Sequence, residues 1–340
     1  MINRTPRQFR LPRLHVLLIA ALIPAMAHAG AVSLTASDPG NSSSLTSAGK
    51  WSDSQPPSAA NDYFTSTFFV RTPQDVGNLT TTFPGNSLTL QAPAGQGSPM
   101  RSLLYKGGAS DTIIINNLTN AAGGVLNNGG SGNVGAPTFT GNLWTIAGNS
   151  TILSDQGSTI IGYPLAGSAI LTNTSGQSRT ITYNGNLSGF TGKLYIFSSC
   201  TVAFGSGSSI LGNPAVFTPD QILIGPGCTL ADNSSLDFNN ANSGITLSGA
   251  GTATINVSGN TLISEPITDF TNGVSSASSL AVAGGGILTL SGSNNYTGGT
   301  VISGDLAIEQ FQCTPYRECD GQFMVGSKYQ QRHHQCAERK

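Results

Sequence analysis

The sequence predicts an all-β solenoid built of short stacked strands, and three observations predict it. Glycine fills 43 of 340 positions and charged residues only 9%, with Ser, Thr and Asn taking most of the other polar positions. Disordered chains instead carry high net charge and few β-branched residues. Runs such as TIIINNL, STIIG and QILIG recur, with turn residues at nearly every tenth position, which is the pattern of many short strands. One segment also repeats within the chain, at Thr180 to Ile196 and again at Ile287 to Ser303.

Positions 1–29 read as a signal peptide. Arg4, Arg7, Arg10 and Arg13 form a basic start, VLLIAALIPAMA an apolar middle, and Ala27 and Ala29 the small residues of a cleavage site. The apolar run is shorter than the roughly 20 residues that span a bilayer as a helix, so signal peptidase is expected to cut between Ala29 and Gly30. No later segment has the length and apolarity of a spanning helix, and no stable membrane insertion of the mature chain is expected.

Positions 30–75 are expected to form an N-terminal cap. Trp51, Tyr63, Phe64, Phe68 and Phe69 crowd together there with Pro56, Pro57 and Pro73, and the first rung of a solenoid, having no neighbour above it, needs an atypical cover.

From position 76 to 310 short strands alternate with Gly/Asn turns: GNSLTLQA, DTIIINNL, GNLWTIAGNSTILSD, GSTIIGY, GSAILTN, RTITYNG, KLYIFSS, CTVAFGSGSSILG, QILIGPGCTLADNSSLDF, SGITLSGAGTATINVSG and GILTLSG. Each alternates apolar with Ser/Thr/Asn, so the apolar side is expected inward and the polar side outward. Strands this short bury a face only by stacking, and low charge suits stacking because like residues then lie about 4.8 Å apart.

The repeat pairs TITYNGNLSGFTGKLYI with ILTLSGSNNYTGGTVIS, matching Phe190-Thr191-Gly192 to Tyr296-Thr297-Gly298. The second copy, carried by Gly286, Leu288, Leu290, Gly292, Asn295, Tyr296, Thr297, Gly298, Gly299, Thr300, Ile302 and Gly304, resembles the autotransporter-associated β-strand repeat of bacterial surface-protein passengers. Asp305 departs from that pattern. The openings WSDSQPPSAANDY and FPGNSLTL look like the start of such passengers. The resemblance implies a right-handed parallel β-helix shown on, or secreted from, the cell surface. In that family a C-terminal β-barrel forms the export pore, and this chain is expected to be a truncated passenger without one. Such a chain would stop in the periplasm, whereas a full-length protein with a barrel would reach the surface or the medium.

Positions 311–340 differ in kind. Eight of them are Lys, Arg, Asp or Glu, against nineteen in the far longer stretch from 30 to 310, and so steep a rise in charge density leads us to expect an irregular tail. Moving its back-translation forward by one base permits SNALPTGSATVNL, a repeat-like composition, and a shifted reading frame is the favoured reading. Cys313, Cys319, His333, His334 and Cys336 are candidate zinc ligands, but the spacing of the first two cysteines exceeds the C-x2-4-C that structural zinc sites favour.

Catalytic chemistry finds little support in the body. Between positions 30 and 310 there is no histidine, which leaves Ser-His-Asp, Cys-His and His-ligated metal arrangements without their central residue. Asp232 and Asp237 are the candidate carboxylate pair of a glycosidase, but in ADNSSLDFNN both read as turn formers. GGSGNVG (Gly129 to Gly135) has the glycines of a calcium-binding nonapeptide without its Asp. No cofactor is expected. Six Lys/Arg against thirteen Asp/Glu in this region argue against nucleic acid and anionic membrane as partners. The spacing of Cys200 and Cys228 suits neighbouring rungs, and the pair is read either as a bridge or as two buried thiols.

The function expected is a non-enzymatic surface stalk, coat or scaffold. An adhesin for polysaccharide or a host surface is the alternative, and a β-helix polysaccharide-degrading enzyme comes third. Resequencing codons 300–345 tests the tail: a frame that runs on into further repeats marks 311–340 as an artefact, and a confirmed stop after Lys340 means a periplasmic remnant whose Cys/His tail needs its own explanation.

Overall fold

The computed structural model describes residues 29–74, 77–94, 100–108, 110–129, 135–271 and 273–303. The signal segment to His28, Gly304 and the whole tail lie outside the described residues, as does most of GGSGNVG.

Three parallel sheets form the walls of a solenoid, and the chain visits them in a fixed cycle. The first sheet has seven strands, among them Asn61–Phe64, Ser87–Leu90, Asn117–Asn120 and Leu143–Ile146, and ends at Gly189–Phe190. The nine-stranded second sheet runs from Val70–Arg71 to Ile267–Thr268, and the ten-stranded third from Thr80–Thr82 to Thr300–Ile302. A three-stranded sheet of Asp237–Phe238, Thr261–Ile263 and Leu288–Leu290 occupies the first-sheet place in the late turns. No helix occurs among the described residues. The parallel β-helix pairing that the resemblance implied is thus observed. Antiparallel departures are small, a hairpin of Phe270–Thr271 with Val274–Ser275 and a single bridge between Leu34 and Trp51.

Successive turns differ in length. A late one takes the chain from Leu280 only as far as Thr300 before the two pair, whereas an early one takes it from Val70 to Leu103. Corners absorb the difference, so inward side chains stay stacked. In the second sheet one unbroken column runs Val70, Leu103, Leu126, Ile152, Asn173, Ile196, Ile224, Leu247, every member fully buried. In the third sheet Ile113, Phe139, Ile161, Tyr183, Phe204, Asp232 and Val257 form another.

The expected alternation holds on some strands and fails on others. Ser150–Ser154 and Ile170–Ser175 alternate strictly between buried and half-buried positions. Leu103–Tyr105, Val125–Asn128 and Ser243–Leu247 are buried on both sides, a correction to the expectation of an outward polar face. On Ser243–Leu247 the outward Thr246 hydroxyl donates to the Pro219 carbonyl of the neighbouring strand at 2.9 Å, and just before the strand Asn242 Nδ2 donates to the Pro214 carbonyl, also at 2.9 Å.

Inward positions are not uniformly apolar either. At the corner between the second and third sheets Asn128, Ser154 and Ser175 stack in register and are buried. Asn128 Nδ2 donates to the carbonyls of Gly157 and Ser158 at 3.0 and 2.9 Å, and Ser175 Oγ accepts the Arg179 amide at 2.7 Å. A chain that turns a corner strands backbone groups away from the ladder, and a buried one must find a partner; these side chains supply it.

Aromatic residues crowd at the N-terminal end as expected, but they divide their work. Trp51 and Tyr63 are buried with Phe83, ring centroids 4.8 Å apart for the first pair and 5.3 Å for Tyr63 and Phe83, both edge-on. Trp51 Nε1 donates to the Ser44 carbonyl at 2.6 Å, which draws the 38–51 segment over the end of the core. Phe68 packs partly against that core, while Phe64 and Phe69 are half-buried. Strands Asn61–Phe64 and Val70–Arg71, inside the 30–75 region, already belong to regular sheets.

The two repeat copies fall on different walls. Thr180–Tyr183 and Lys193–Ile196 belong to the third and second sheets, whereas their counterparts Leu288–Leu290 and Thr300–Ile302 lie on the three-stranded sheet and the third. What repeats is a corner. A Cβ on Gly192 would lie 2.1 Å from the Ala169 carbonyl oxygen, and one on Gly298 2.4 Å from the Ser278 carbonyl, so in both copies glycine lets the chain press on the turn before it.

Trp51→Ala is expected to lower stability by about 3–5 kcal/mol through the cavity left at the end of the core. Gly192→Ala is expected to cost about 1–3 kcal/mol by overpacking against fixed backbone. Urea unfolding measures both, and an unchanged midpoint in either variant contradicts the packing described.

Candidate functional site on the outer wall of the second sheet

Lys193 and Tyr195 alternate with the buried Leu194 and Ile196 on strand Lys193–Ile196, so both project outward. The next strand, Thr218–Ile224, shifts register between Thr218 and Ile222. Asp220 lies within that irregularity and reaches back to both residues. Lys193 Nζ meets its carboxylate at 2.8 Å and the Tyr195 hydroxyl donates to Oδ2 at 2.7 Å. Phe197 stands edge-on to Tyr195, centroids 6.0 Å apart. Val216 and Phe217, 73% and 54% exposed, lie at the start of the same segment.

Burial acts to raise the Asp220 pKa, but the Lys193 and Tyr195 hydrogen bonds and the Lys193 charge outweigh it and hold the carboxyl below its ordinary range. Burial, then the Asp220 hydrogen bond and charge, push the Tyr195 phenol well above its ordinary value. At neutral pH the trio is therefore a fixed ammonium–carboxylate–phenol array. It presents hydrogen-bonding groups beside aromatic faces, the combination that suits hydroxyl-rich surfaces. No sequence motif marked it, because Lys193 and Asp220 come from different turns.

The sequence-designated carboxylates are not brought together. Asp232 is buried in the third-sheet column and accepts the Ser234 amide at 2.8 Å, the Leu236 amide at 2.7 Å and the Thr261 hydroxyl at 2.6 Å. That is the turn role expected of it. Asp237 is exposed on strand Asp237–Phe238, so its reading as a turn residue is corrected.

Cys200 and Cys228 occupy matching corners one turn apart, since each precedes one of the paired residues Thr201 and Thr229. Both are fully buried free thiols. Burial, assisted by Cys228, pushes Cys200 up to about 12, and burial also raises Cys228. Of the two readings, buried thiols is the one observed.

The repeat residues form the last described corner. Leu288 and Leu290 are buried, and a Cβ on Gly286 or Gly292 would lie 2.1 or 2.3 Å from the carbonyl oxygen of Gly259 or Glu265. The Asn295 amide donates to the Ile267 carbonyl at 2.9 Å, Tyr296 is half-buried against the core, and Gly299 has φ of +79°. Thr297 donates to buried Asp269 through its amide at 3.0 Å and its hydroxyl at 2.7 Å. Thr300 and Ile302 lie in the final described strand.

Two further features escaped the sequence reading. Glu265, 2% exposed, accepts the Asn240 amide at 3.1 Å through Oε1, while its Oε2 has no partner, and burial raises its pKa. A shallow groove of about 500 Å³ crosses three turns at Ser66, Thr67, Gln91, Ala92, Ala121 and Ala122. Among the described residues no cluster of His, Cys, Asp and Glu has the makings of a metal site. The chain matches no protein-family model, no curated protein and no solved structure.

Two outcomes are expected. A carboxyl raised on folding stabilises below its unfolded pKa and loses that contribution as pH rises through the folded one, so Glu265→Gln should gain stability over wild type above the ordinary carboxylate range and lose the gain in acid; parallel pH curves contradict this. Cys200 and Cys228 should resist alkylation in the native state at mildly alkaline pH and react in guanidinium, as peptide mapping would show; native labelling contradicts the buried corner.

Proposed function

We propose that this chain is a non-enzymatic structural rod, a stalk, coat or scaffold exported to the cell surface. The observation that supports it is the parallel stacking of turn on turn from Asn61 to Ile302. Nine turns at about 4.8 Å per turn make a rod of roughly 45 Å, with backbone hydrogen bonds directed along its length. A module of this kind bears load and spaces its ends. The repeat corner at 284–303 and its resemblance to autotransporter passengers support the surface setting, and the basic–apolar–small pattern of positions 1–29 supports export. With a barrel in the full-length protein the rod is displayed or released; without one it remains periplasmic.

Adhesion is the second reading, favoured by the Lys193–Tyr195–Asp220 array with Phe197 edge-on to Tyr195. Polysaccharide or a comparable hydroxyl-rich polymer suits it, through many weak contacts along a repetitive wall. Small-angle scattering of residues 30–310 should give an elongated particle, and glycan arrays should show no ligand for a pure scaffold. Binding lost in Tyr195→Ala would move the conclusion to an adhesin, and reducing-sugar release from a polysaccharide would overturn the non-enzymatic reading.

A further inference from the structure

The outer face of the third sheet carries a rank of identical side chains. Thr180, Thr201, Thr229 and Thr254 pair in register on the successive strands Thr180–Tyr183, Thr201–Phe204, Thr229–Asp232 and Gly251–Val257. Two residues further along each strand runs a second outward column of Thr182, Ala203, Ala231 and Asn256. Through Ile160 that column continues to Thr138, Thr112 and Thr80. Between the first two columns Ile181, Val202, Leu230 and Ile255 point inward and are buried, so the threonines stand on a packed core.

The four threonines of the rank are half-buried, and among the described residues none of their hydroxyls has a hydrogen-bond partner. Threonines elsewhere are engaged: the hydroxyls of Thr246, Thr261 and Thr297 donate to the Pro219 carbonyl, Asp232 and Asp269 at 2.9, 2.6 and 2.7 Å. The wall is also uncharged. From Thr80–Thr82 to Thr300–Ile302 its strands include one Asp and no Glu, Lys or Arg, and that residue, Asp232, is buried. The rings on these strands, Phe139, Tyr183 and Phe204, are buried as well, which leaves no aromatic face outward.

We propose that this wall binds ice. Parallel pairing repeats each hydroxyl and its methyl at about 4.8 Å, and hexagonal ice repeats its oxygen atoms at nearly the same interval along its a axis. A hydroxyl with no partner in the chain anchors one water by hydrogen bonding, the methyl beside it leaves no polar group to draw the next water out of line, and the following turn presents the same pair again. Holding a single water in place costs entropy; in the crystal that freedom is already lost, so the contacts form without that cost. Each contact is weak, and the sum over a rigid rank is what holds. Charged groups would orient water around themselves and break the lattice, and none stands here. A glycan is better served by aromatic faces, and a second copy of the chain would strip water from every hydroxyl of the rank.

Thermal hysteresis of the full chain, read on a single ice crystal in an osmometer, tests this. Wild type should hold a faceted crystal without growth below its melting point, with a gap that widens as protein concentration rises. Thr201→Tyr and Thr229→Tyr, in the middle of the rank, should each shrink that gap at least fivefold, and Thr174→Tyr, outward on the second sheet, should leave it unchanged. Should the two tyrosine variants fail to fold, Thr229→Ser, which removes a methyl alone, carries the test with at least a twofold loss. No gap in wild type, or a gap equal in wild type and in the variants of the rank, overturns the proposal. A chain without a gap that dimerises in sedimentation equilibrium, or is retained on crystalline cellulose, and loses that property in Thr201→Tyr also overturns it, and names a second copy or a glycan as the occupant.

Discussion

The fold depends on one constraint, that the strand residues of a turn lie directly over their partners in the turn before. Parallel pairing imposes that register, and the column from Val70 to Leu247 shows its consequence: side chains meet their own kind at roughly strand spacing. Burial then accrues per turn, since no turn closes a core by itself. The ends are where the constraint is unmet, and at the N-terminal end Trp51, held by the Ser44 carbonyl, covers what the missing neighbour would have covered.

A stacked core tolerates polar residues only where the backbone needs them. Asn173 interrupts the aliphatic column of the second sheet, yet its Oδ1 accepts the Tyr183 hydroxyl at 2.6 Å and its Nδ2 donates to the Tyr195 carbonyl at 3.3 Å. Asp232 does the same for two amides of a corner. Buried polar groups of this kind stabilise through satisfied hydrogen bonds, whereas Glu265 with one bare oxygen costs stability when ionised. Corners are therefore where this sequence varies in length, and also where its polar chemistry goes inward.

The outer walls show how sparingly charge is used. With so few cations, the pairing of Lys193 with Asp220 sets one charged spot on the second sheet, while Ser, Thr, Asn and small apolar groups dominate elsewhere. A rod so built has long repetitive walls and few chemically distinct spots. The structural role proposed for it rests on the ladder, and the proposed recognition on that charged spot and on the uncharged third wall.

Composition and alternation determined that the chain is all-β and that its strands are short, because Gly-punctuated four-to-six-residue runs bury a face only against other strands; parallel stacking was implied by the repeat resemblance. They also located the aromatic end and the turn role of Asp232. Tertiary structure decided the rest. Which strands are buried on both sides no alternation pattern disclosed, and the repeat copies fell on different walls because corner length sets the phase of each turn. Lys193 meets Asp220 only because the two come from neighbouring turns. Their meeting is fixed by how much chain each turn consumes, which is set by how the corners pack and which no local pattern records.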